Sequence, residues 1–179
     1  MKKKIAISIV AVALVLCCAI GGTLAWLTAQ TDKVKNTFTV GDINIDLNET
    51  TSDYKMVPGN TIAKDPKVTV EANSEDCWLF VKVEESANLD QFIEYSVAAG
   101  WTRYGETNVW YRIVLTNAAD QTFSVLVDDQ VAVKNDVTKE MMTSSDFTNP
   151  TLTFKAAAVQ RANITTVEAA YAQVETLLG

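Results

Sequence analysis

The chain has 179 residues, of which 48% are hydrophobic and 21% are charged, and it contains no histidine. This balance is typical of a globular protein and excludes a disordered one. The absence of histidine excludes Ser-His-Asp and Cys-His catalytic systems and HExxH zinc sites. The net charge of −7 argues against nucleic-acid binding, which requires a basic surface.

The first 25 residues have the three-part layout of a secretory signal peptide. Lysines at positions 2–4 precede an apolar run at 5–20, and small residues then lead to Ala25. The run is short for a transmembrane helix, which needs about 20 apolar residues. We predict a signal peptide at 1–25, cleaved between Ala25 and Trp26, as the chain's one contact with the membrane. An uncleaved anchor and, because of Cys17 and Cys18, a lipoprotein are the alternatives.

Removal of residues 1–25 takes away three lysines and leaves 12 basic against 22 acidic residues, a net charge of −10. Such a chain stays soluble and avoids anionic surfaces. Cys77 is then the only cysteine, so no intramolecular disulfide forms. Its apolar surroundings predict a buried thiol, and an intermolecular disulfide is the alternative.

The remaining chain shows the period-two alternation of β-strands, without an internal repeat or a linker. We predict an extension at 26–36 and one domain at 37–179. Strands are expected at 38–47 (with a bulge at Gly41-Asp42), 66–70, 77–84, 108–116, 122–127, 131–133 and 152–160. Turns are expected at 57–60 and 128–129, and a short helix or turn at 89–98.

The C-terminal residues change to helical spacing. Thr165 and Glu168 fit a capping box, with Thr165 as the N-cap. A single apolar stripe then follows: Val167, Ala170, Tyr171, Val174, Leu177 and Leu178. The sequence therefore predicts an all-β, jelly-roll-like β-sandwich with a C-terminal helix packed on it.

No catalytic, cofactor-binding or metal-binding motif is present. Acidic residues do cluster, and they are interpreted as solvated surface groups, with a Ca²⁺ site left open. The clusters are Asp42/Asp46/Glu49, Glu71/Glu75/Asp76, Glu84/Glu85 and Asp128/Asp129.

Two apolar strands, at 77–83 and 109–115, must be paired or covered to avoid association. If the fold leaves one sheet edge open, an extended segment of another copy fills it by β-strand addition. Residues 26–36, here called the donor segment, are the candidate, with Trp26, Leu27 and Val34 as its apolar side chains. The alternatives are a frayed tail or the first strand of its own domain.

Several stretches together resemble one protein family. GGTLAWLT at 21–28, followed by NTFTVGDI at 36–43, is similar to the signal region of proteins processed by a SipW-type signal peptidase. The stretches VPG at 57–59, KDPKV at 64–68, FVKV at 80–83 and FKAAAVQ at 154–160 follow in the family's order. The family comprises TasA-like biofilm matrix proteins and camelysins.

This resemblance implies a secreted jelly-roll protein of the extracellular matrix or cell surface of a Gram-positive bacterium. Its expected partners are a SipW-type signal peptidase and either further copies of itself or a co-secreted matrix protein, joined into fibres by strand donation. Camelysins are classed as metallopeptidases, which is the rival function, although the chain lacks histidine. A surface module that binds a ligand through loop residues 100–104, including Trp101, is the third hypothesis.

Overall fold

The computed structural model describes residues 42–50 and 54–179. The predicted signal peptide, the cleavage site between Ala25 and Trp26, and the donor segment with Leu27 and Val34 lie outside the described residues. Among the residues that are described, no helix combines the length and the apolar character needed to cross a membrane.

The described residues form a mainly β fold with short helices. In chain order the elements are β1 (Ile45–Asn48), β2 (Thr61–Ala63), β3 (Lys67–Val70), β4 (Cys77–Glu85), α1 (Leu89–Phe92), β5 (Ile93–Glu94), β6 (Thr102–Arg103), β7 (Val109–Val114), β8 (Gln121–Ser124), β9 (Gln130–Val133), α2 (Lys139–Thr143), β10 (Leu152–Gln160) and α3 (Val167–Leu178). A 3₁₀ turn at Val127–Asp129 separates β8 from β9.

These strands form three antiparallel sheets. The first has the order β1-β3-β8, the second β10-β4-β7-β6, and the third β2-β9-β5. The longest ladder joins β10 to β4, from Leu152 opposite Glu85 to Gln160 opposite Cys77. The prediction of a mainly β sandwich with a C-terminal helix is confirmed.

The main core lies between the first and second sheets. Val68 and Val70 of β3 face Leu79 and Val81 of β4, and all four are at most 2% exposed. Strands alternate their side chains between two faces, so one row of each strand enters this core. Cys77 belongs to the same core and is fully buried, as its apolar neighbours predicted.

Helix α3 covers the outer face of the second sheet. Ala170, Val174 and Leu178 are buried against that face, as the stripe predicted. Leu177 is 68% exposed, so its assignment to the stripe was wrong. The predicted N-cap was also wrong by one residue, because Thr166 has the extended backbone of a cap and its side chain accepts a hydrogen bond from the Ala169 N–H at 3.3 Å.

Most of the other predicted elements are present with shifted limits. The described part of the predicted first strand, β1, runs only from Ile45 to Asn48. The segment 89–98 forms the short helix α1 and then pairs through β5. Asp128 and Asp129 form the predicted turn, both with φ of 53°. Strands β2 and β6 and helix α2 were not predicted, since elements of two to five residues carry little periodicity.

Candidate functional site

In the described part of the chain, the two sheets of the sandwich are bridged by side chains along one side but not along the other. On one side, the C-terminal end of β8 is engaged, because the Trp101 indole N–H donates to the Ser124 carbonyl at 2.9 Å. Just beyond β8, the Ala98 N–H donates to the Val125 carbonyl at 2.9 Å. Trp101 is 7% exposed and part of the core, so it does not serve the hypothesis of an exposed ligand-binding loop.

Arg112 closes the same side between β7 and β8. Its guanidinium lies 3.7 Å from the centre of the Phe123 ring and 5.4 Å from that of Trp101. Burial lowers the pKa of this side chain. No sequence pattern predicted this arrangement, because an arginine in an alternating strand is ordinarily expected to face water.

On the opposite side of the sandwich, none of the described residues closes the gap between the two sheets. It lies between β1 and β10, which are close in space but are not hydrogen-bonded to each other. Among the described residues, β1 pairs only with β3 and β10 only with β4. Within the part of the chain that the structure describes, the nine-residue strand β10 therefore has one unpaired edge. The edges of β2, β5 and β6 comprise only three, two and two residues.

Apolar side chains line this opening, here called the groove. They pack against the main core but stay only partly buried. Strand β1 and the residue before it contribute Ile43, Ile45 and Leu47, and β10 contributes Leu152, Phe154, Ala156 and Ala158. Both rows follow the two-residue period of a strand, so one further strand would meet apolar groups from both sheets.

At one end the groove widens into a cavity of about 620 Å³. Its wall is mostly apolar and is built from the ends of β1 and β10, from the third sheet, and from α1. The apolar lining residues are Leu47, Met56, Ile62, Pro66, Leu89, Ile93, Val131, Pro150, Leu152 and Phe154. A volume of this size holds a few side chains or a small ligand.

A polar cluster stands in the wall of this cavity. Lys64 is only 8% exposed, and its ammonium donates to Glu49 Oε1 at 2.7 Å. The Tyr54 hydroxyl donates to the same carboxylate oxygen at 2.8 Å. The Lys64 ammonium also lies 5.0 Å and 5.4 Å from the ring centres of Tyr54 and Phe154. Burial, reinforced by the Glu49 carboxylate, raises the pKa of Tyr54.

The ends of two strands and one long-range backbone hydrogen bond position this cluster. Glu49 directly follows β1, and Lys64 directly follows β2. The Lys64 backbone N–H donates to the Asp129 carbonyl at 2.8 Å, which fixes the lysine next to the turn before β9. Sequence reasoning placed Glu49 in a solvated acidic cluster and did not single out Lys64.

The predicted acidic clusters do not assemble into a metal site. Glu84 lies 3.0 Å from the Lys82 ammonium and 3.1 Å from that of Lys155. Hydrogen bonds from these two lysines lower the pKa of Glu84. Asp129 pairs with Lys67 at 3.1 Å. Within 42–50 and 54–179, no group of three or more metal-binding side chains is found.

Cys77 is not arranged as a reactive thiol. Burial, reinforced by the nearby Asp76 carboxylate, raises its pKa to about 11. Thiolates are the nucleophilic and metal-binding form of cysteine, so this environment keeps the side chain inert.

Comparison with known proteins bears on the first half of the chain. Residues 1–85 match the model of the camelysin metallo-endopeptidase family. This match confirms the resemblance to that family, over a region that extends through β4 and contains Glu49, Tyr54 and Lys64. No curated protein and no solved structure matches the chain.

The family description raises the question of a catalytic metal. Zinc in peptidases is bound by histidine together with a carboxylate, and the chain has no histidine. The acidic side chains of the groove are engaged by other groups, as Glu49 is by Lys64 and Tyr54. The described residues therefore do not fit a zinc centre of the usual kind.

Proposed function

We propose that the chain is a secreted structural subunit of extracellular matrix or cell-surface fibres, assembled by β-strand donation. Cleavage after Ala25 by a SipW-type signal peptidase would make Trp26 the first residue. The donor segment of one copy would then enter the groove of the next copy. Further copies of the same chain are the partner proposed here, and a co-secreted matrix protein is the alternative.

The observation that supports this proposal is the free nine-residue edge of β10 beside the apolar groove. An unpaired edge offers a row of backbone N–H and C=O groups, and an added strand satisfies them while its side chains fill the groove. Strand β8, on the other side of the sandwich, is only four residues long, and Trp101 engages its last carbonyl. Addition at the groove is therefore favoured over addition at β8.

Charge also supports the pairing of these two parts. The donor segment contains Lys33, Lys35 and Asp32, a net charge of +1, whereas residues 37–179 carry −11. Opposite charges speed the encounter of two surfaces and disfavour wrong partners.

The test separates the donating and accepting functions. Purified residues 26–179 are compared with a variant that lacks 26–36, and with Ala156→Lys, which places a charge on the groove side of β10. We expect filaments from the first, and monomers from each variant alone, by negative-stain microscopy and size-exclusion chromatography. An equimolar mixture of the two variants should form dimers, because each supplies the part that the other lacks.

The control for Ala156→Lys is Thr122→Lys, at an exposed position of β8 on the other side of the sandwich, which should still form filaments. Both variants need unchanged thermal unfolding, so that loss of assembly is not loss of folding. Monomers from the unmodified chain at high concentration would contradict self-assembly. A co-secreted partner would then be the remaining form of the proposal.

The rival function is that of a camelysin-like metallo-endopeptidase, which the family description supports. Casein cleavage by the purified chain, abolished by a chelator and restored by a divalent metal, would establish it. A single-site binding module is the third function, and saturable binding of a ligand by the monomer would favour it.

A further inference from the structure

The ammonium of Lys64 has more hydrogen-bonding capacity than its neighbours use. A lysine ammonium has three N–H donors, and within the described residues the one acceptor bonded to it is Glu49 Oε1. The rings of Tyr54 and Phe154 approach it at 5.0 Å and 5.4 Å but accept no ordinary hydrogen bond. Among the described residues, this nearly buried cation in the wall of the cavity therefore has no acceptor for two of its three donors.

The donor segment contains one side chain that suits this position. Asp32 is the only acidic residue between Trp26 and Asn36. Burial of a carboxylate is unfavourable unless it is paired with a cation and hydrogen-bonded. Among the described residues that line the cavity, Lys64 is the only cation, so it is the group that can meet this condition.

We propose that Lys64 binds the Asp32 carboxylate of the incoming strand and thereby sets the register of strand donation. This inference rests on the proposed function. Because side chains at every second position share a face, Val34 enters the groove with Asp32, about 7 Å along the strand. Lys33 and Lys35 then point out of the groove. A slip by one residue would place a lysine against Lys64 and leave Asp32 outside.

The polar contact also explains how one strand would be selected from others of similar apolar content. A wholly apolar strand would cover the Lys64 ammonium without supplying an acceptor, and an unpaired buried donor is unfavourable. A strand with a lysine in that position would add repulsion. Lys64 therefore acts as a specificity determinant of the groove, in addition to its contact with Glu49.

The experiment measures the critical concentration for assembly of residues 26–179. Asp32→Asn should raise it by about ten- to a hundredfold, the range for loss of a charge-assisted hydrogen bond. Lys33→Gln, the neighbouring change on the opposite face, should leave it within about twofold. Lys64→Met should itself weaken assembly, and in that background Asp32→Asn should have little additional effect.

Folding is checked separately. Each variant should show cooperative thermal unfolding, and Lys55→Met serves as the exposed control for Lys64→Met. If the unmodified chain assembles but Asp32→Asn and Lys33→Gln behave alike, the Lys64 contact is refuted while strand donation stands. If the unmodified chain does not assemble, the proposed function fails and this inference fails with it.

Discussion

Replacement of Lys64 by methionine tests whether the buried polar cluster is a coupled unit. Removal of one partner from a buried ion pair typically costs 3–5 kcal/mol, because the other charge is left unpaired. The Glu49 side chain is 26% exposed and keeps the hydrogen bond from Tyr54. Water and this hydroxyl offset part of the loss, so we expect Lys64→Met to lower the free energy of unfolding by about 2 kcal/mol.

The reciprocal change should cost more. Glu49→Gln leaves the ammonium of Lys64, only 8% exposed, without its carboxylate. We expect a loss of about 3 kcal/mol, because this charge has less access to water than the charge of Glu49. The double variant removes both charges and should cost only about 2 kcal/mol, which gives a coupling energy near 3 kcal/mol.

Urea denaturation of the mature chain, followed by tryptophan fluorescence, measures all three variants. Lys55→Met, at an exposed position, should change the free energy of unfolding by less than about 0.5 kcal/mol. Strict additivity of the two single changes would refute the argument. It would mean that Lys64 and Glu49 do not stabilise each other in solution.

Two further predictions concern the core. Leu178→Ala should lower the free energy of unfolding by about 2–3 kcal/mol, because Leu178 is 1% exposed on the inward face of α3. Leu177→Ala, at a position 68% exposed, should lower it by less than about 0.5 kcal/mol. Equal losses in urea titrations would show that α3 packs through a different face. Cys77 should react with a thiol reagent at least about a thousandfold more slowly in the native chain than in urea, and rapid labelling of the native chain would contradict its burial.

Long elements with a consistent period were predictable from the sequence. The strand at 77–84 was recognised because it is a run of mostly β-forming residues that contains no turn-forming residue. Helix α3 was recognised from its stripe, but the pattern could not decide between two adjacent leucines. Only the contact with the sheet shows that Leu178, and not Leu177, faces inward.

The candidate site was less predictable because distant parts of the chain create it. Lys64 stands between Ala63 and Asp65 in the sequence, where a lysine signals an exposed position. Its burial depends on Glu49, fifteen residues away, and on Phe154, which lies on the far side of the groove. No local sequence pattern predicts the burial of Lys64, because it depends on how the strands that carry Glu49 and Phe154 are placed in the folded chain.

The groove differs from an ordinary packing defect in how its edge is protected. Proteins usually guard a free strand edge with a charge that points inward or with a proline. The inward row of β10 contains no charged residue, and β10 contains no proline. The one charged side chain of β10, Lys155, lies on the other face, where it donates to the Gly179 carbonyl at 2.7 Å and pairs with Glu84. Among the described residues, nothing on the groove side of β10 therefore opposes a further strand, which is the condition that the proposed strand donation needs.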